Sequence, residues 1–250
     1  MIKIYRSDTA ALNDCDVFED YKKKVDDTRR EKVERCRNEE DKKRSLLAGY
    51  LIQVGVREWI GEESGLHNAI PLSLSYTYGE NGKPYLTDYP RLHFSLSHSG
   101  SYVIAAFSEE EVGIDIQYHK PMQCDIAERF FSEEDKRLLE QLAAEGEADA
   151  FYRLWAVKEA YMKLTGEGLR QGLNTTKLER LDASASGMAM RHTGDRDIGT
   201  NDVRLQNGRI IKKNSGDGAF FRSYGAIEKY SIAVCSYSEI SDIKSREVEL

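Results

Sequence analysis

The chain has 250 residues, 40% of them hydrophobic, which is enough to bury one or two hydrophobic cores. It contains no apolar run of about 18 residues that could cross a membrane, and its first residues lack the apolar core of a signal peptide, so we expect a cytoplasmic protein without a membrane span. Its four cysteines have no metal-binding spacing, which argues against a disulfide framework or a zinc site.

The net charge of −7 is unevenly distributed. Residues 22–44 contain eleven Lys and Arg against seven Asp and Glu, a local charge of +4. A basic segment in an acidic protein favours a small anionic ligand or an acidic partner, although a solvated helix surface with paired charges has the same composition. The sequence has no recognisable nucleic-acid-binding motif, so nucleic acid is not expected as a partner.

The first 110 residues predict one strand, three helices and then a group of short strands. Apolar residues recur with the helical period up to residue 59, and from residue 72 the pattern changes to the alternation of strands. Thr28 and Glu31 have the spacing of a capping box, which indicates the start of the second helix. The predicted elements in order are a strand at 1–6, helices at 16–24, from 28 and at 39–59, and strands at 72–77, 84–86, 92–97 and 102–107.

The remaining residues repeat the order of strand, helices and strands. Ser132 is a typical N-cap residue, and Gly166 and Gly168 are typical of a helix end. The polar segment 183–201 predicts a hairpin or loop, and the residues from 238 predict a frayed polar tail. The predicted elements in order are a strand at 112–118, helices at 126–131, 133–144 and 148–165, and strands at 176–181, 209–212, 219–224 and 230–237.

Short segments of the two parts resemble each other in the same order along the chain. They are Ile2–Tyr5 with Ile114–Tyr118, Arg44–Tyr50 with Arg153–Glu159, and Tyr102–Ala106 with Tyr230–Val234. Three such matches in one order favour an internal duplication. We therefore predict an α+β fold of two similar halves, 1–110 and 111–238, with a polar tail at 239–250 and a ligand site in the cleft between the halves.

Two carboxylates and one lysine stand out as candidates for chemistry. Glu159 and Lys163 are four residues apart near the end of a helix and so lie on one face, although alone they would more often be a surface ion pair. Asp115 lies on a strand whose opposite face is a run of Val and Ile, so it is beside the core and needs a partner. Two carboxylates brought together would suit a hard cation, and a nearby lysine would suit a phosphate.

A second group of polar residues lies at the end of a predicted strand. Ser97 and His98, followed by Gly100, can bind phosphate oxygens through side chains and backbone amides. A nucleophilic Ser/His pair is the competing interpretation, although adjacent residues on a strand point apart. Lys83 lies at a turn and is either solvated or anion-binding.

Taken together, these motifs resemble those of the 4′-phosphopantetheinyl transferases, specifically the surfactin-synthetase-activating (Sfp-type) group. The resemblance extends from the first strand to about residue 237. The motifs are Asn-Gly-Lys-Pro at 81–84, Phe-Ser-Leu-Ser-His-Ser-Gly at 94–100, Val-Gly-Ile-Asp-Ile at 112–116, Arg-Phe-Phe-Ser at 129–132, and Trp-Ala-Val-Lys-Glu-Ala-Tyr-Met-Lys at 155–163.

The resemblance implies a monomer of two α+β halves related by a pseudo-twofold axis, with coenzyme A and Mg²⁺ between them. It implies transfer of the phosphopantetheine arm of coenzyme A to a serine of an apo acyl or peptidyl carrier protein, with release of adenosine 3′,5′-bisphosphate. The carriers of the family serve fatty-acid, polyketide and nonribosomal peptide synthesis, and they present an acidic helix. We therefore expect a docking surface around residues 123–145.

The resemblance also assigns the candidate catalytic residues. Asp115 and Glu159 match the metal ligands of the family, and Gln117 stands where a third acidic ligand is common. An amide oxygen can still bind a cation, so we expect Mg²⁺, and Mn²⁺ as a second cation, to be accepted. Lys163 matches a lysine at the pyrophosphate. Glu159 is the first candidate for the base that takes the serine proton, with Asp135 or Glu134 second.

Further residues match coenzyme contacts of the family. Ser97, His98 and Lys163 match contacts to the phosphates, Lys83 matches one near the adenine and ribose, Arg44 matches one at the 3′-phosphate, and Arg29 and Lys32 match outer basic contacts. The alternative interpretation is a catalytically idle module that binds coenzyme A or a carrier, and the substitution at Gln117 is its only support in the sequence.

Overall fold

The computed structural model describes residues 1–61, 72–120, 125–168, 173–180, 207–212, 216–225 and 227–250. The predicted hairpin or loop at 183–201 lies outside these residues. Among the helices described, none combines the length and the apolar character that a membrane crossing requires.

The N-terminal half contains the predicted strand, three helices and four short strands. Each helix begins at an Asp or Asn whose side chain accepts a backbone N–H, because the first amides of a helix have no partner within it. The predicted capping segment at 26–28 precedes α2, and its N-cap is Asp26 in place of Thr28, since the Asp26 carboxylate accepts the Arg29 N–H. The elements are β1 (Ile2–Asp8), α1 (Cys15–Lys23), α2 (Asp27–Arg35), α3 (Glu39–Trp59), β2 (Tyr76–Tyr78), β3 (Pro84–Leu86), β4 (His93–Ser99) and β5 (Tyr102–Ser108).

The second half begins with a strand and ends with a group of strands, as predicted. Ser132 forms a capping box with Asp135, and Gly166 ends a helix in the left-handed conformation at φ 70°. The elements are β6 (Val112–Tyr118), α4 (Asp125–Phe130), α5 (Glu133–Ala144), α6 (Ala150–Thr165), β7 (Thr176–Arg180), β8 (Asn207–Lys212), β9 (Gly218–Tyr224), β10 (Tyr230–Ser236) and β11 (Ile243–Glu247).

The strands form two main sheets that share a three-stranded antiparallel series. One sheet has the order β11-β1-β5-β4, the other has the order β6-β10-β9-β8-β7, and β2 pairs separately with β3. The antiparallel series β1-β5-β4 in the first sheet corresponds to β6-β10-β9 in the second. Tyr102 and Tyr230, which the sequence repeat pairs with each other, are in contact with ring centroids 5.2 Å apart. The predicted α+β class is confirmed.

Three hydrophobic clusters hold these layers together. One lies between α1–α3 and the first sheet, and another lies between α4–α6 and the second sheet. The third joins the two halves, because it combines residues of β1 and β5 with residues of β6 and β10. Ile4, Ile104, Ile114 and Ile232 are each no more than 1% exposed in it. The halves are thus joined by a continuous apolar layer.

The prediction of a frayed polar tail at 239–250 is wrong. β11 pairs in parallel with β1, from Ile2 opposite Ile243 to Arg6 opposite Glu247. Val248 N–H then donates to the Arg6 carbonyl at 2.8 Å. The tail is ordered because its few apolar residues, Ile243 among them, are buried in the core between the halves and in the first core. The polar composition of the segment gave no sign of this burial.

Gly113 explains how β6 and α6 come so close together. A Cβ built on Gly113 would overlap the Ala160 carbonyl oxygen and lie 2.6 Å from Leu164 N. Both are backbone atoms of α6, so neither can rotate away. The glycine therefore allows the strand that carries Asp115 to lie against the helix that carries Glu159 and Lys163.

Gly113→Ala is expected to lower the free energy of unfolding by about 1–3 kcal/mol, because the added methyl overpacks the contact between strand and helix. Thermal or urea unfolding measures the change. Gly225→Ala is the matched control, since the nearest described atom to its Cβ would be the Tyr230 carbonyl oxygen at 3.8 Å, an ordinary contact distance. Equal stabilities of the two variants would contradict this account of Gly113.

Candidate active site

Asp115 is the centre of the candidate site. It lies in the middle of β6 and is 2% exposed. Its Oδ1 accepts hydrogen bonds from Ser97 Oγ at 2.6 Å and from Lys163 Nζ at 2.6 Å, and its Oδ2 accepts one from Gln117 Nε2 at 2.7 Å. These three donors hold the carboxylate in one orientation.

Glu159 lies on α6 one turn before Lys163 and is half-buried. Burial, and then the negative charge of Asp115, raise the pKa of Glu159 to about 7, while Lys163 opposes the shift. The structure thus brings Asp115, Glu159 and Lys163 together, as predicted, with two carboxylates near one ammonium group. Additional positive charge at this point would relieve the repulsion between the carboxylates.

The donor set fits a hard divalent cation. Mg²⁺ is commonly held by one or two carboxylates while substrate phosphates and water complete its shell, and Asp115 and Glu159 supply two. Within the described part of the chain, no cluster of three or more His, Cys, Asp or Glu residues suited to a metal is present. Gln117 is adjacent, but its amide N–H is directed at Asp115, so it serves there as a hydrogen-bond donor.

A cavity of about 840 Å³ opens at His98, whose ring feels the charges of Asp115 and Lys163. Its wall includes Arg29, Lys32, Arg44 and His98, four of the predicted coenzyme contacts. Burial, and then the charge of Arg29, lower the pKa of Lys32. Among the described residues of the wall, Arg29, Lys32, Arg35 and Arg44 outnumber Glu31 and Asp41, and this excess of positive charge favours an anionic ligand.

His98 connects the cavity with the carboxylate pair. Its side chain is exposed, but partial desolvation lowers its pKa, and the charges of Arg44 and Lys163 lower it further. Arg44 donates to Asp41 Oδ1 at 2.6 Å and to the Gly100 carbonyl at 3.1 Å. These two bonds hold the guanidinium at the cavity wall, close to His98.

Two predicted coenzyme contacts have their polar atoms engaged within the protein. Lys83 Nζ donates to the Leu164 carbonyl at 2.7 Å and to Glu111, which ties the turn before β3 to the end of α6. Lys83 lines a smaller cavity of about 250 Å³ together with Lys163. The Ser97 hydroxyl is directed at Asp115. Contacts of Lys83 and Ser97 to a coenzyme stay predictions.

The interpretation of Asp135 as a second candidate base is wrong. Asp135 is 0% exposed, and its Oδ2 lies 2.6 Å from the ammonium group of Lys158, which is also 0% exposed. Lys158 donates in addition to the Thr176 carbonyl at 3.1 Å. The sequence contained a signal for this buried pair, because Lys158 falls between Leu154 and Tyr161 on the apolar stripe of α6.

Comparison with known proteins agrees with this geometry. A family model described as "4′-phosphopantetheinyl transferase superfamily" matches residues 111–235, which include the carboxylate pair. A 4′-phosphopantetheinyl transferase of Bacillus subtilis is 32% identical over 208 residues, 83% of this chain and 80% of that protein. The 4′-phosphopantetheinyl transferase psf-1 of Bacillus pumilus is 36% identical over 178 residues, 70% of this chain and 73% of that protein.

The similarity also reaches the group that the sequence motifs indicate. The 4′-phosphopantetheinyl transferase Sfp of Bacillus subtilis (strain 168) is 37% identical over 147 residues, which cover 59% of this chain and 62% of that protein. The predicted enzyme class is therefore confirmed at the level of the family, by a match that spans half of the chain and by relatives that span most of it. The chain belongs to the 4′-phosphopantetheinyl transferase superfamily.

Proposed function

We propose that this chain transfers the 4′-phosphopantetheine group from coenzyme A to a serine hydroxyl of an apo acyl or peptidyl carrier protein. The observation that carries the proposal is the buried Asp115, which is paired with Lys163 and close enough to Glu159 to raise its pKa, together with a basic cavity that begins at His98. Phosphoryl transfer requires this combination, because the reacting pyrophosphate must be positioned and its charge neutralised.

In the proposed reaction the serine oxygen forms a bond to the phosphorus that carries the pantetheine arm. The bond from that phosphorus to the bridging oxygen of the pyrophosphate breaks, and adenosine 3′,5′-bisphosphate leaves. Glu159 takes the proton of the serine hydroxyl. Lys163 and His98 stabilise the charge that develops on the departing bisphosphate.

Asp115 and Glu159 would hold the divalent cation, with Gln117 as the neighbouring polar group. When bound, Mg²⁺ or Mn²⁺ neutralises the charge of the pyrophosphate and orients its oxygens. Asp115 is suited to this task because its carboxylate is already fixed from three directions.

The basic cavity is the proposed coenzyme site. Its volume of about 840 Å³ lies within the usual range of ligand pockets. Arg29, Lys32 and Arg44 would bind the phosphates of the adenosine end, and Lys163 would bind the pyrophosphate beside Glu159.

The same proposal covers the partner and the organisation of the chain. The predicted docking surface at 123–145 is described from residue 125 and contains the exposed Arg129. An acidic carrier helix would complement Arg129. We propose a cytoplasmic monomer with halves at 1–110 and 111–238. Its proposed partners are coenzyme A and carrier proteins, and neither nucleic acid nor a membrane is among them.

The test is the intact mass of an apo carrier protein after incubation with the chain, coenzyme A and Mg²⁺. We expect a mass increase of one phosphopantetheine group that EDTA abolishes and that added Mg²⁺ or Mn²⁺ restores. Binding of coenzyme A without any mass increase, on carriers of several pathways, would contradict the proposal and support the idle-module alternative.

Arg44→Met is expected to weaken binding of coenzyme A by about 10- to 100-fold, because a charge-assisted hydrogen bond to phosphate is lost. Binding of coenzyme A that lacks the 3′-phosphate should change little, and calorimetric titration compares the two ligands. Arg30→Met is the control, since Arg30 donates to the Val25 carbonyl outside the cavity. Equal losses with both ligands would place Arg44 away from the 3′-phosphate.

A further inference from the structure

Among the described strands, β6 is the end strand of its sheet, so the backbone groups on its outer edge have no strand partner there. In the antiparallel pair with β10, successive amides of β6 point alternately toward β10 and away from it. The amides that point away are those of Ile114, Ile116 and Tyr118. They lie in the buried layer between the two halves, where an unpaired N–H would be costly.

Three serine hydroxyls on β4 accept these amides. Ser95 accepts from Ile114 N at 3.1 Å, Ser97 from Ile116 N at 3.3 Å, and Ser99 from Tyr118 N at 2.9 Å. The three pairs have a constant separation of 19 residues, so β4 and β6 run in the same direction in one fixed register. Side-chain oxygens thus replace a neighbouring strand at this joint between the halves.

The middle serine makes one contact that the other two do not make. A hydroxyl has a single proton to donate, and Ser97 donates its proton to Asp115 Oδ1 at 2.6 Å. The same oxygen that accepts from Ile116 therefore also orients the central carboxylate. Ser95 and Ser99 accept from β6 in the same way but are not bonded to Asp115.

We propose that Ser97 is a positioning residue that fixes the Asp115 carboxylate and at the same time fixes β6 on β4. Lys163 and Gln117 also donate to Asp115, but both have long side chains that lose rotamer freedom to do so. Ser97 is 6% exposed and has one rotatable bond before its hydroxyl, so it holds the carboxylate at little entropic cost. Only the expected effect of Ser97 on kcat rests on the proposed function; its role in orienting Asp115 does not.

The test compares Ser97→Ala with Ser95→Ala and Ser99→Ala as matched controls. Each variant should speed hydrogen exchange at its own partner amide in β6. In the unaltered protein, the NMR scalar couplings of Asp115 should be those of a single χ1 rotamer. In Ser97→Ala alone, they should become the average over several χ1 rotamers. Ser97→Ala should also weaken Mn²⁺ binding and lower kcat by roughly 10- to 100-fold, the usual effect of removing a partner of a metal ligand.

Ser97→Thr should restore part of the lost Mn²⁺ affinity, because it keeps the hydroxyl. The proposal is overturned if Asp115 keeps a single rotamer in Ser97→Ala, or if all three alanine variants lose Mn²⁺ affinity equally. If the unaltered protein transfers nothing to any carrier, the proposed function fails, but the exchange rates and the Asp115 couplings still decide the role of Ser97.

Discussion

Glu159→Gln is expected to lower kcat for transfer to a carrier protein by about 10²- to 10⁴-fold, the range associated with loss of a general base. The substitution keeps the size of the side chain but removes the negative charge that would hold a cation and accept the serine proton. Affinity for coenzyme A should not fall, because the basic wall of the cavity is unchanged. Initial rates from carrier intact mass and a coenzyme A titration measure the two effects.

Glu249→Gln provides the control, because Glu249 is exposed after β11 and lies outside the proposed docking surface at 123–145. Its rate should stay within about twofold of the unaltered protein, as is usual for surface substitutions. A Glu159→Gln variant that retains more than about a tenth of the rate would mean that another group removes the serine proton.

Asp135→Asn is expected to lower the free energy of unfolding by about 3–5 kcal/mol, because it leaves the Lys158 ammonium without its counter-charge in the second core. For a chain of this size the melting temperature should fall by roughly 6–20 °C. The asparagine fits the same space but has only one acceptor oxygen, so the loss also includes either the bond from Leu178 N to Oδ1 or the bonds from Ser132 to Oδ2. Differential scanning calorimetry measures it.

Glu128→Gln is the matched control, because it breaks an ion pair with Lys136 in which the Glu128 side chain is 73% exposed. Its effect should be about 1 kcal/mol or less. The double variant Asp135→Asn/Lys158→Met removes both buried charges and should recover much of the loss. A double variant as unstable as Asp135→Asn alone would show that the stranded charge is not the cause.

Periodicity predicted the elements that bury one face. The apolar stripe of α6 and the alternation of β6 were sufficient to place Glu159, Lys163 and Asp115 on surfaces beside the core, and the structure brings them together. The repeat of Tyr102 and Tyr230 predicted two related halves because duplicated strands keep their apolar pattern. Local sequence patterns were therefore sufficient to predict most of the helices and strands.

Polar pairings across the core were harder to predict. Ser97 was expected to bind a phosphate of the coenzyme, but its hydroxyl is directed at Asp115. Asp135 was considered as a base, but it is buried in an ion pair with Lys158. A serine or an aspartate has the same sequence pattern whether its partner is solvent, ligand or a distant side chain. Only the tertiary arrangement selects that partner, and the same limitation hid the pairing of β11 with β1.

The pairing of β11 with β1 has a consequence for biosynthesis. The outer edge of β1 stays open until residues 243–247 have left the ribosome, so the half that is translated first completes its sheet last. During that interval the bare edge can pair with another nascent chain. Once in place, β11 presents Lys244, Arg246 and Glu247 at the new edge, and these charged residues discourage a further strand from adding there.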